Sequence, residues 1–190
     1  MLLLRRLSTK RPTCKKAKVQ PFTFSQVLFL VGTLFWCTTQ PSISQAGSLH
    51  VGDKAENFTL KSVAGPNIRL SEQRGKVIVL AFWASWCNSC QPYLDFINQL
   101  IKEHDDKGVE LWVITSNEEP TKISKTVRHM DLNASILLDP NQNIANKYFI
   151  DELPTTVLID RNGTIRSVYI DFNASDKKRY QHELLDLATE

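Results

Sequence analysis

The sequence predicts an α/β domain in which a mixed central β-sheet carries helices on both faces. Three observations predict it. Val77–Trp83 is apolar without interruption, the pattern of a strand covered on both sides. Soon after it the period changes, and Leu94, Ile97, Leu100, Ile101 and His104 recur at helical spacing. Near the C-terminus two strand-like segments flank Asn162-Gly163, a strong antiparallel hairpin signal. Parallel strands joined by helices come first and an antiparallel pair comes last, which makes one α/β layer sandwich.

The elements follow in order. Phe58–Leu60 and Ile68–Leu70 alternate apolar and polar residues around Ala64-Gly65-Pro66-Asn67, and they predict a small N-terminal β-hairpin. Val77–Trp83 is the central strand. The helix over 94–104 is expected to end at Gly108. Val109–Thr115 is a second buried strand, and Thr121–Met130 an amphipathic helix through Ile123, Val127 and Met130. Ile136–Leu138 is a short strand and Gln142–Phe149 a short helix. Thr155–Ile159 and Thr164–Ile170 form the hairpin, and Ala174–Leu187 closes the chain as a helix.

The charges are segregated. Of 23 Lys and Arg, seven fall in residues 1–20, and the first acid in the chain is Asp53. Without those seven, 16 basic residues face 20 acidic ones, so the remainder carries about −4. That argues against a nucleic-acid surface. The basic region is followed by the apolar stretch Phe22–Trp36 and then by Ser44-Gln45-Ala46, with small residues where a signal peptidase reads. Residues 1–46 are therefore expected to be a signal peptide or an N-terminal membrane anchor, and 47–190 the folded domain. The basic flank predicts that the N-terminus stays cytoplasmic and the domain is exported.

Four cysteines occur, and Cys14 and Cys37 lie in the leading segment. The other two, Cys87 and Cys90, close too small a loop to serve chiefly as a staple. In an oxidising exported compartment such a pair reads as redox-active. A zinc site would need two more ligands, and His50, His104, His129 and His182 are scattered without pairing. No metal and no cofactor is expected.

Phe82-Trp83-Ala84-Ser85-Trp86-Cys87-Asn88-Ser89-Cys90 runs a buried strand into a C-x-x-C that opens a helix. A helix N-terminus offers free N–H groups and partial positive charge, which favour the reactive thiolate. Cys87 is expected at the helix start with a lowered pKa, and Cys90 one turn deeper and more buried. Cys87 can then attack a substrate disulfide, and Cys90 can resolve the mixed disulfide. Further on, Leu153-Pro154-Thr155-Thr156 leads into a strand. A proline there is either a turn residue or a cis-proline fixing a loop.

Val77–Cys90, together with Leu153-Pro154-Thr155-Thr156 and the Leu-Ile-Asp…Asn-Gly after it, resembles the TlpA-like branch of the thioredoxin superfamily. That branch includes the ResA-like and CcmG-like proteins, with broader kinship to the AhpC/TSA and redoxin group. The resemblance runs from about Val51 to the C-terminus. It implies a thioredoxin-like fold and a protein disulfide reductase. Cys87 would be the attacking and Cys90 the resolving cysteine. Pro154 would be the cis-proline beside them, and the Leu153 backbone would pair with an extended substrate segment. Trp86 would flank the site as a platform, while core packing alone explains Trp83. The implied partners are exported thiol or disulfide proteins, such as apocytochromes c, and a membrane thiol-electron donor. An uncleaved N-terminus would add the inner membrane. Compartment alone favours oxidation; the resemblance favours reduction.

Two departures stand out. Relatives in this branch usually carry a Glu three residues after the second cysteine as proton acceptor, and this chain has Tyr93. Thioredoxins proper bury an Asp at the position of Ala81. Asp95 is the remaining nearby acid, and a solvated helix residue is the better reading of it. Pro92 removes one N–H early in the helix and is expected to kink it. The rival functions are a thiol peroxidase and a thioredoxin-fold binding or chaperone module whose cysteines no longer turn over.

Overall fold

A computed structural model describes residues 48–171, 173 and 175–190. The leading segment 1–46, with Cys14 and Cys37, lies outside the described residues. The elements are β1 (Thr59–Ser62), β2 (Asn67–Arg69), β3 (Val77–Trp83), α1 (Cys90–Lys102), β4 (Val109–Ser116), α2 (Pro120–Val127), β5 (Ala134–Asp139), α3 (Asn143–Lys147), β6 (Thr155–Ile159), β7 (Ile165–Ile170) and α4 (Asp176–Thr189).

One sheet holds seven strands in the order β2-β1-β5-β4-β3-β6-β7. β3, β4 and β5 are parallel, β6 is antiparallel to β3, and β6 and β7 form an antiparallel hairpin. At the other edge β1 pairs antiparallel with both β2 and β5. This is the mixed central sheet that the sequence predicts.

All seven residues of β3 are buried, which explains its unbroken apolar run. They divide by parity. Val77, Val79, Ala81 and Trp83 pack into a core shared with Cys90, Tyr93 and Ile97 of α1 and with Tyr180 and Leu184 of α4. Ile78, Leu80 and Phe82 face a second core with Phe58, Leu70, Trp112 and Tyr148. Phe58 meets both Trp112 and Tyr148 edge-on, at ring separations of 6.1 and 5.9 Å.

The helix ends differ from expectation for local reasons. α1 stops at Lys102, and Gly108, in the left-handed region (φ 68°), instead terminates a short 3-10 turn at Asp105–Lys107. α2 ends at Val127, so Met130 only packs against the core from the following turn. α3 shrinks to Asn143–Lys147. Gln142 before it has φ 56°, and the Asp139 carboxylate caps the backbone N–H groups of Ile144 and Ala145, both at 2.9 Å. α1 runs unbroken through Pro92. That residue lies in the first turn, where N–H groups have no acceptor within the helix.

Candidate active site

β3 delivers the redox loop, and β6 delivers the turn beside it. Phe82 pairs with Thr155 in the antiparallel register. Chain leaving β3 toward Cys87 and chain entering β6 from Pro154 therefore share one end of the sheet.

Cys87 and Cys90 are joined by a disulfide with a Cα–Cα distance of 5.3 Å. The two sulfurs have unequal access, because Cys90 is fully buried and Cys87 only partly so. Against the sequence expectation, Cys87 does not start the helix but precedes it. α1 begins at Cys90, and Cys87 ends a turn in which its N–H donates to Ala84 O at 3.1 Å. Asn88 and Ser89 carry the chain across to α1, and the Cys90 N–H donates to Cys87 O at 3.2 Å. Ser89 Oγ stands 3.5 Å from Cys87 Sγ. Cys87 thus faces the N-terminal end of α1 from outside it, which still favours a thiolate there.

Leu153–Pro154 is a cis peptide. Pro154 is buried, and its carbonyl accepts the Asp171 N–H at 3.1 Å. Leu153 is partly buried, and it and Cys87 both pack against the core cluster that contains Cys90. Trp86 is 64 % exposed, whereas Trp83 is buried in the core as expected. Beside the Leu153–Pro154 turn lies a groove of about 400 Å³, lined by Phe149, Ile150, Glu152, Thr155 and Ile170.

The acids near the dithiol sort differently from the sequence reading. Tyr93 is buried, and its hydroxyl shares a hydrogen bond with Thr156 Oγ1. Burial pushes its phenol well above the ordinary value, so it cannot accept a thiol proton near neutrality. Ala81 is buried in the same cluster as Cys90. Asp95 is exposed and accepts a hydrogen bond from Gln91 Nε2 at 3.0 Å.

Sequence reasoning missed Glu118. Its side chain is only 3 % exposed. It accepts hydrogen bonds from the Ser85 N–H at 2.8 Å, from the Ser85 hydroxyl, and from Lys122 Nζ at 3.1 Å. Burial works to raise its pKa, but these donors outweigh burial and hold the carboxyl below its ordinary value. Topology alone could have flagged it. β3 and β4 are parallel with Trp83 opposite Thr115, so Ser85 and Glu118 emerge at the same strand ends. Among the described residues no three His, Cys, Asp or Glu side chains gather as a metal site.

The AhpC/TSA family profile matches residues 51–168, more than half the chain. The chain belongs to the AhpC/TSA family. Among AhpC/TSA relatives, the ResA thiol-disulfide oxidoreductase of Geobacillus thermodenitrificans is 29% identical over 142 residues, covering 75% of this chain and 82% of that one. The solved structure of a Chlorobium tepidum protein assigned as the thiol:disulfide interchange protein DsbE superposes with a TM-score of 0.70. It is 29% identical, over 74% of this chain and 99% of that one. The exposed lipoprotein thioredoxin of Streptococcus pneumoniae is 27% identical with a TM-score of 0.59, over 67% and 99% of the two chains. This AhpC/TSA member is accordingly a ResA-like and DsbE-like thiol–disulfide oxidoreductase with a thioredoxin-like fold.

Proposed function

We propose that the chain is an extracytoplasmic protein disulfide reductase in which Cys87 attacks and Cys90 resolves. The observation that carries this reading is the unequal access of the paired sulfurs. One is partly exposed at a turn facing a helix end, and the other is sealed at the first residue of that helix.

In the reduced protein the Cys87 thiolate attacks a substrate disulfide. A Cys87–substrate bond forms as the substrate S–S bond breaks, and the first substrate thiolate leaves. The Cys90 thiolate then attacks Cys87 Sγ, closes the Cys87–Cys90 bond and expels the second substrate thiolate. Two electrons pass to the substrate, and solvent takes the proton of each attacking thiol and protonates the released ones. A membrane thiol donor restores the dithiol.

The substrate lies across the Leu153–Pro154 turn, with the Leu153 backbone pairing to an extended segment and Trp86 flanking it. The groove with the exposed Phe149 and Ile170 supports docking of an apolar stretch. Residues 1–46 serve to export the domain or tether it to the membrane, as their basic-then-apolar pattern supports. The substrates are exported thiol proteins.

The test is reduction of insulin by the wild-type chain and by Cys87→Ser, with dithiothreitol as donor. Wild-type turnover lost in Cys87→Ser supports the reading. Equal behaviour of the two overturns it, and consumption of peroxide without insulin reduction would move the assignment to a thiol peroxidase.

A further inference from the structure

Glu118 is an acid with a buried side chain that the dithiol exchange leaves unused. Both of its carboxylate oxygens point at one residue of the redox loop, with Oε2 on the Ser85 N–H and Oε1 on the Ser85 hydroxyl. Ser85 is the second residue of the Ala84–Cys87 turn. Two Cα steps of about 3.8 Å keep its Cα within about 7.6 Å of that of Cys87. A carboxylate this dry would shed its charge without partners. Here the two Ser85 donors and the Lys122 ammonium keep it ionised. Lys122 is 58 % exposed, so solvent and salt weaken its compensation.

We propose that Glu118 is a positioning residue for Cys87: it clamps the Ala84–Cys87 turn through Ser85 and fixes a negative charge within a few residues of the reacting sulfur. This rests on the dithiol reading above and adds what sets the reactivity of Cys87. The end of α1 draws the thiolate out, and the Glu118 carboxylate opposes it. The loop is held between the two, so Cys87 is less acidic than its helix-end position alone would make it.

The experiment is iodoacetamide alkylation of Cys87 in the reduced full-length chain, followed by peptide mass spectrometry across a pH series. It compares wild type, Glu118→Gln and Lys122→Met. Glu118→Gln keeps an acceptor for Ser85 but removes the charge. Its alkylation midpoint is expected at lower pH, with a rate below the midpoint about threefold to tenfold faster. Lys122→Met strips the counter-cation from an exposed site and is expected to shift the midpoint the other way. A purely structural role for Glu118 would not give shifts of opposite sign. A lower midpoint in Glu118→Gln supports the proposal; should that variant not fold, a higher midpoint in Lys122→Met supports it. An unchanged midpoint in the folded variant overturns it. The readout needs no protein substrate, so a wild type that alkylates as expected yet fails to reduce insulin would sink the reductase reading alone.

Discussion

The Tyr93 hydroxyl shares a buried hydrogen bond with the Thr156 hydroxyl, tying α1 one turn beyond Cys90 to the strand that follows Pro154. The residue at the position of the family's usual proton acceptor is instead a structural link between the two halves of the site.

Removing that link should cost stability and leave chemistry alone. Tyr93→Phe strands the Thr156 hydroxyl in a buried place and is expected to lower unfolding free energy by about 1–2 kcal/mol. Urea denaturation measures the loss. The pH profile of insulin reduction should keep its shape, and a displaced profile would show that the phenol takes part in proton transfer.

Tyr93→Glu is expected to change the chemistry as well. A carboxyl three residues past Cys90 on α1 faces the same side of the helix and would be raised toward neutrality by burial. Resolution of the mixed disulfide should speed by about tenfold or more, at a stability cost of about 2 kcal/mol. Rapid-quench trapping of the mixed disulfide, with and without the substitution, reports the rate.

The two cysteines should separate cleanly. Cys90→Ser retains the accessible attacking sulfur and loses the resolving one, so a substrate mixed disulfide at Cys87 should accumulate and be visible by intact-mass measurement. Within the domain, Cys87→Ser leaves only the fully buried Cys90 and should trap nothing at the site. Trapping at Cys90 in place of Cys87 would exchange the proposed roles.

Alkaline pH should unfold this domain through its phenols. Burial raises Tyr93, Tyr148 and Tyr180 well above the ordinary value, and Tyr169 is pushed up to about 12, by burial first and then by its bond to Glu183. A raised folded-state pKa contributes stability that is complete below the unfolded value. Above pH about 10 the unfolded chain releases protons that the folded one retains. Stability then falls by up to about 1.4 kcal/mol per pH unit for each such phenol. Phenolate absorbance and loss of far-ultraviolet circular dichroism should rise together; phenolate appearing in a folded domain would contradict the assigned burial.

Much of the architecture was legible because it follows from local periodicity. The seven-residue length of the apolar run of β3, the change of period into α1 and the Asn162-Gly163 turn are each local signals of their element. The boundaries were less legible. Gln142, with φ 56°, and the Asp139 cap shorten α3, and neither disturbs the apolar pattern read over 142–149.

The sequence by itself determined the α/β order, the C-x-x-C spacing after a buried strand, and the Leu153-Pro154 turn before β6, since all three are encoded by residues adjacent in the chain. Only the tertiary structure decided that Cys87 sits before α1 and not on it, that Tyr93 is spent on Thr156, and that Glu118 grips Ser85 from 33 residues away. Those last two are hydrogen bonds between residues far apart in the chain, one joining α1 to β6 and the other joining the loops that follow β3 and β4. Their partners are chosen by which strand ends the sheet brings together, and no local pattern of residues records that choice.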